Sequence, residues 1–306
     1  MAAPESSDHR ATIDTARVPI ISTSMALPSD NHVHSEWSWD AQSGSMERSC
    51  AQAIRIGLPS IAFTEHVDHT VWTASVEGLA TVPADHPVAL LADPTGQVTP
   101  PAFDSTGYFL AIEHCREKFP GMRILSGLEL GEPHWHEDAV RNVLSRGKFD
   151  RVLGSLHCLP DRGRFQEPND LITHRDPHEV MRTYLLEIAH LVTQSDSFGV
   201  LAHIDYPVRS WPAHLGPFDP AVFEDEFRHA LRATSQAGKA LEINTVVPLH
   251  DSIARWWHEE GGEAVSFGSD AHEPLAVARG FSNVAAMAEA CGFRPDRDPL
   301  ELWHRV

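Results

Sequence analysis

The chain has 306 residues, with 43 Asp and Glu against 24 Lys and Arg, a formal charge of −19. Nucleic-acid phosphates and anionic membrane surfaces call for a basic face, and no dense Lys/Arg cluster occurs here, so neither is expected as a partner. At 42% hydrophobic the chain can bury a sizeable core, while no leader-like segment and no run of 18 apolar residues occur, which points to a cytoplasmic protein. The four cysteines lie far apart without a C-x-x-C pair, which argues against a disulfide framework. Histidine is the unusual residue, with 20 copies against three tyrosines.

Residues 1–28 are small and polar without sustained periodicity and read as a tail, leaving 29–306 as a single domain. From there, short β-prone runs recur, each ending in acids and histidines: DNHVH (30–34), SIAFTEH (60–66), RILSGLELG (123–131), RVLGSLH (151–157), GVLAHID (199–205), ALEINT (240–245) and VSFGSDAH (265–272). Helical segments are expected between them at 45–57, 108–121, 136–147, 177–194, 220–238 and 252–262, with a last helix near 281–292. Strands that alternate with helices pair in parallel, because a parallel neighbour requires a crossover. Seven such units predict an α/β fold, a closed or nearly closed β/α barrel. Residues 70–107 and 158–176 exceed minimal connections and fall where such barrels carry substrate-covering loops.

His32 and His34, at i and i+2 of a strand, point to one face and can reach one metal ion. The same spacing in His134-Trp135-His136 shows that H-x-H alone is weak. Repetition strengthens it: His66, Glu129, His157, His203, Asp270 and His272 occupy the corresponding tips of five further strands. So many imidazoles and carboxylates converging in a barrel mouth require cations. Imidazole and carboxylate without thiolate suits zinc, manganese or iron. H-E-x-x-H, G-x-S-x-G, Walker and G-x-G-x-x-G patterns are all missing from the sequence.

The motifs DNHVHSEWSWDA (30–41), GLPSIAFTEHVD (57–68), ILSGLELG (124–131), FDRVLGSLH (149–157), LAHIDYPVR (201–209), LEINT (241–245) and FGSDAH (267–272), in this order, resemble the PHP (polymerase and histidinol phosphatase) superfamily, in its histidinol-phosphatase type. The resemblance implies a distorted (β/α)7 TIM-like barrel, the PHP fold, holding three divalent ions. It implies His32, His34, Glu129 and Asp270 around the first ion. Glu129 would bridge to a second held with His157 and His203, and Asp40, His66 and His272 would hold the third. It further implies hydrolysis of a small phosphate ester, L-histidinol phosphate, by a metal-bridging hydroxide, with Glu129, Asp270 and His203 at the catalytic centre. Three divalent ions bring about +6 to the site, so an acidic exterior need not repel an anion.

Arg209 matches the family's arginine after the His203 strand and is a candidate phosphate clamp, with Arg162 and Arg164 as further candidates. His69, His250, Trp37 and Trp211 are candidates for the pocket lining. Two other functions stay open on the sequence: a phosphoesterase acting on another small phosphomonoester or a nucleotide, and a non-catalytic metal-binding module. The departure Leu-Glu-Ile-Asn-Thr-Val-Val-Pro-Leu-His (241–250) from the family's usual continuation bears on substrate rather than on metal chemistry.

Overall fold

A computed structural model describes residues 27–296 and 302–306. The expected tail lies outside the described residues except for Leu27, which packs on the core, and buried Pro28. Seven parallel strands follow the chain order: β1 Asp30–Val33, β2 Ser60–Asp68, β3 Arg123–Gly131, β4 Arg151–Ser155, β5 Val200–Leu201, β6 Ala240–Asn244 and β7 Ala264–Gly268. Just beyond β1 and β7 a parallel bridge joins Val33 to Ala271, where the His34 N–H donates to the Ala271 carbonyl at 2.9 Å. The Asp270 N–H donates to the His32 carbonyl at 2.7 Å, so the sheet closes at the end where the histidines stand. This is the distorted barrel expected from the motifs.

The helices form where local chemistry permits. In α1, Met46–Ile56, the Ser45 side chain caps the Arg48 N–H, and Gly57 ends the helix at φ 76°, where a side chain would be strained. Helix α2, Ser105–Lys118, starts at Asp104, and α3 spans Glu137–Leu144. Helix α4, Pro177–Gln194, combines an Asp176 cap with proline at its first turn. Helices α5 (Glu224–Gln236), α6 (Asp251–Glu259) and α7 (Phe281–Ala290) complete the outer layer.

Their inner faces bury Tyr108, Tyr184, Phe227 and Trp257 completely, and truncating such a side chain costs about 3–5 kcal/mol. The Tyr108 hydroxyl donates to the Phe63 carbonyl at 2.7 Å and accepts from the Gly127 N–H at 2.7 Å, tying α2 to β2 and β3. Position 127 needs glycine, since a Cβ there would sit 2.6 Å from the Arg151 carbonyl. Two short antiparallel strands that the sequence reading did not place, β8 Phe293–Pro295 and β9 Trp303–Arg305, extend the sheet from β7. Among the described residues no helix is long and apolar enough to cross a membrane.

The two long excursions are ordered. The first carries a ribbon of Trp72–Thr73 against Gln97–Val98 and short helices at Val76–Thr81 and Pro87–Leu91. The second is a hairpin, Leu159–Asp161 with Arg164–Gln166, followed by a turn of helix at Pro168–Leu171. Asp170 accepts from the Ser75 N–H at 2.7 Å and from its hydroxyl at 3.0 Å, and Trp72, Val98, Cys158 and Phe165 share a small apolar cluster beneath this staple. The excursions therefore act as one cover.

Candidate metal centre

The register of β2 on β3 sets His66 beside Glu129, and parallel pairing aims all seven strand ends at one mouth. Glu129, fully buried, stands at the centre. Its Oε2 lies 3.2 Å from His32 Nε2, 3.4 Å from His34 Nε2 and 3.1 Å from His66 Nδ1. Its Oε1 lies 2.7 Å from His203 Nε2 and 3.2 Å from His157 Nε2. Asp270 Oδ1 lies 3.2 Å from His34 Nε2, while Asp40 Oδ2 lies 3.3 Å from His66 Nε2 and 3.1 Å from His272 Nε2. All nine residues expected as ligands are thus brought together.

The surrounding hydrogen bonds decide which ring nitrogens are bare. Glu242 Oε1 accepts a hydrogen bond from the His32 Nδ1–H at 2.6 Å. The Ser38 hydroxyl donates to Glu65 at 2.6 Å, so toward His34 Nδ1, 2.9 Å away, it acts as acceptor. Both Nε2 atoms then carry lone pairs, and they face each other at 3.1 Å. Glu129 Oε2 and His66 Nδ1 are buried without a hydrogen-bond partner despite their closeness. Lone pairs converging on buried space are what a divalent cation satisfies, so the donor set fits metal ions. Candidate triads include His32, His34 and Glu129; Glu129, His157 and His203; and His34, His66 and His272.

Burial disfavours the charged form of His66, but Asp40 and Glu129 outweigh it and raise its pKa to about 10. Burial likewise opposes ionisation of Glu129, yet His32, His66 and His157 hold it well below the usual carboxylate range. Burial, reinforced by His66 and His272, lowers His34. Asp270 and Glu132 adopt left-handed backbone, at φ 50° and 45°, a strained conformation common at functional sites. Glu132 is held there by its work: it accepts from the Cys158 N–H at 2.8 Å and from the Thr70 hydroxyl at 2.6 Å.

A cavity of about 400 Å³ opens over the cluster, walled by Trp39, Trp72, Tyr206, Arg209 and Glu167. Arg209 donates to Asp270 and lies 4.8 Å over the Tyr206 ring. Arg162 and Arg164 are not brought there. Arg162 and Gly163, at φ 49° and 79°, form the two-residue hairpin turn, which leaves the Arg162 side chain 82% exposed to solvent. Nor do the four predicted lining residues reach the cavity. Trp37 packs against Gly107, Trp211 against Phe218 and Phe223, His250 caps α6, and His69 lies beside His136.

Sequence reasoning missed Asp68, which lies 3.4 Å from His157 and forms a further candidate triad with His66 and His157. It stands at i+2 from His66 on the same strand, so the spacing rule applied to His32 and His34 would have found it. Glu242 was visible in LEINT but had no role. Trp39, Tyr206 and Glu167 carried no sequence signal.

A seven-stranded barrel with several overlapping groups of potential metal ligands at its strand ends defines a class of β/α barrels able to hold divalent ions there. The sequence pattern described as the PHP domain matches residues 30–246, and the chain belongs to this family. It is 24% identical over 251 residues to the histidinol-phosphatase of Lactococcus lactis subsp. lactis, covering 79% of this chain and 83% of that protein. It is 26% identical over 262 residues to a Thermotoga maritima protein named "Probable histidinol-phosphatase", covering 83% and 88%. The crystal structure of the Lactococcus lactis histidinol phosphate phosphatase, complexed with zinc, L-histidinol and phosphate, shares the fold with a TM-score of 0.71. The identity is 21%, over 91% of this chain and 99% of that one.

Proposed function

We propose that the chain is a metal-dependent phosphomonoesterase that hydrolyses L-histidinol phosphate to L-histidinol and phosphate, a step of histidine biosynthesis. The observation that carries this reading is the Glu129 carboxylate, with each oxygen facing a different set of imidazoles beneath a closed-in cavity. The names of the relatives, and the zinc, L-histidinol and phosphate of the Lactococcus lactis structure, supply the substrate class.

Three divalent ions are proposed, in the arrangement that the family motifs imply: His32, His34, Glu129 and Asp270; Glu129, His157 and His203; Asp40, His66 and His272. Zinc or manganese in these sites would supply Lewis-acid stabilisation of the phosphoryl oxygens and activation of water. Glu242 and Ser38 fix the tautomers of His32 and His34, so that both present lone pairs. Arg209, bonded to Asp270 at the wall of the cavity, would offer its planar fork to a phosphate oxygen. Trp39, Trp72 and Tyr206 would exclude bulk water from the reacting ester.

The test is phosphate release by the purified chain, loaded separately with zinc and manganese, from L-histidinol phosphate, a nucleoside monophosphate and an aryl phosphate. Preference for L-histidinol phosphate is expected. Turnover of the others without it would overturn the substrate assignment and leave the phosphoesterase.

A further inference from the structure

Six carboxylates line the cavity, and five are engaged. Asp40, Asp68, Glu129 and Asp270 pair with imidazoles or with Arg209, while Glu132 accepts from backbone and from Thr70. Glu167 is the sixth, and among the described residues its carboxylate makes no hydrogen bond and no ion pair. It does not cap the turn it begins, although its own carbonyl accepts from the Asp170 N–H at 3.0 Å and the Leu171 N–H at 3.1 Å. Those bonds and the Asp170 to Ser75 staple hold the backbone still, so the unpaired acid is presented rather than loose. Burial, with His157 opposing and Asp170, Asp68 and Asp40 adding negative potential, pushes the carboxyl up to about 7. A half-buried carboxyl without a hydrogen-bond or ion-pair partner among the described residues, facing the cavity amid other acids, offers a cationic group a place to bind.

Resting on the histidinol-phosphatase reading, we propose that Glu167 receives the ammonium group of the substrate, making the cavity selective for amino-alcohol phosphates over esters of the same size without a positive charge. The aromatic walls Trp39, Trp72 and Tyr206 suit the rest of an imidazole-bearing alcohol, while the metal cluster and Arg209 face the phosphate. The two ends of the substrate are then read by opposite charges. Glu167 is a specificity residue here and takes no part in bond breaking.

The experiment compares Glu167→Gln and Glu167→Asp with the unaltered, metal-loaded full chain on L-histidinol phosphate and on 3-phenylpropyl phosphate, an alkyl ester without a cation. Calorimetric binding of L-histidinol is the second readout. Glu167→Gln is expected to raise KM for L-histidinol phosphate and weaken L-histidinol binding by about 10- to 100-fold, with kcat held within about threefold. Constants for the neutral ester and the bound metal should not change, and Glu167→Asp should recover part of the loss. Equal losses on both esters, a fall in kcat with L-histidinol affinity intact, or no change at all would each overturn the assignment. A preference for the cationic ester that survives Glu167→Gln overturns this assignment alone. An unaltered enzyme without that preference overturns the substrate reading with it.

Discussion

Glu242 touches His32 on the side of the ring that faces away from the cluster, 2.6 Å from Nδ1, and with its other oxygen accepts from the His203 N–H at 2.8 Å. One carboxylate thus orients donors 171 positions apart in the chain without itself joining the proposed metal ligands. Glu242→Gln keeps the shape but weakens the hold on the His32 tautomer. Its metal affinity, read by competition with a chromophoric chelator, should fall by about 10- to 100-fold.

The same relationship depends on a missing side chain. A Cβ at Gly268 would strike the Glu242 carboxylate and sit 2.6 Å from His32 Cβ. Gly268→Ala should therefore mimic the loss of Glu242 in the chelator competition, although residue 268 contributes no donor atom. Unchanged affinity in this variant would remove Glu242 from the argument.

Glu129→Gln replaces one of the two facing oxygens by an amide that donates rather than accepts. Bound metal, measured by elemental analysis, should drop, and turnover should fall on the order of 10³-fold or more. A fully active variant would mean that the centre has been placed wrongly.

Metal removal should cost stability as well as activity, because ions that bind the folded barrel and not the open chain raise its melting temperature by mass action. Dialysis against a chelator should abolish phosphate release and lower Tm, and titration with zinc or manganese should restore both together. Recovery of Tm without recovery of turnover by any divalent metal would favour a structural role for the ions.

Far from the centre, Asp150 accepts from the Ser126 N–H and from Arg116, both at 3.0 Å. Burial opposes its charge, but these bonds outweigh burial and lower its pKa. A carboxylate so depressed stabilises the fold fully above its unfolded pKa of about 3.9, and that contribution disappears as the pH falls through the folded value. On metal-free protein, Asp150→Asn should melt below the unaltered chain at pH 7, and the gap should close as the pH drops below about 4. A gap that stays constant down to pH 3 would refute the linkage.

The sequence was legible where a period or a cap carried the information. All seven strand runs form the parallel strands of the barrel, and the helix at 177–194 has those bounds because Asp176 and Pro177 mark its start. Eight of the nine proposed ligands converge because they stand at or just past strand ends, which the barrel fixes; Asp40, in the turn after β1, was legible only through the family motif. Residues in the covering loops followed no such rule. Trp37 was expected at the cavity and Trp39 lines it instead, held by a bond from its indole N–H to Asp68 at 2.8 Å. That choice is made by tertiary contact two positions along an irregular turn, where neither helical nor strand periodicity applies. Arg162 and Arg164 fell to the same difficulty, since a two-residue turn looks like a long polar loop until its φ angles are known.

Asp30, at the first position of β1, accepts from the Ser269 N–H at 3.0 Å, the Ser269 hydroxyl at 2.6 Å and the Ala278 N–H at 2.8 Å. The seam of the barrel, and with it the placing of Asp270 and His272, waits for a stretch of chain made some 240 residues later. During synthesis the early histidines emerge long before Asp270 and His272, so the proposed sites that use those two residues can be completed only after the end of β7 has been made.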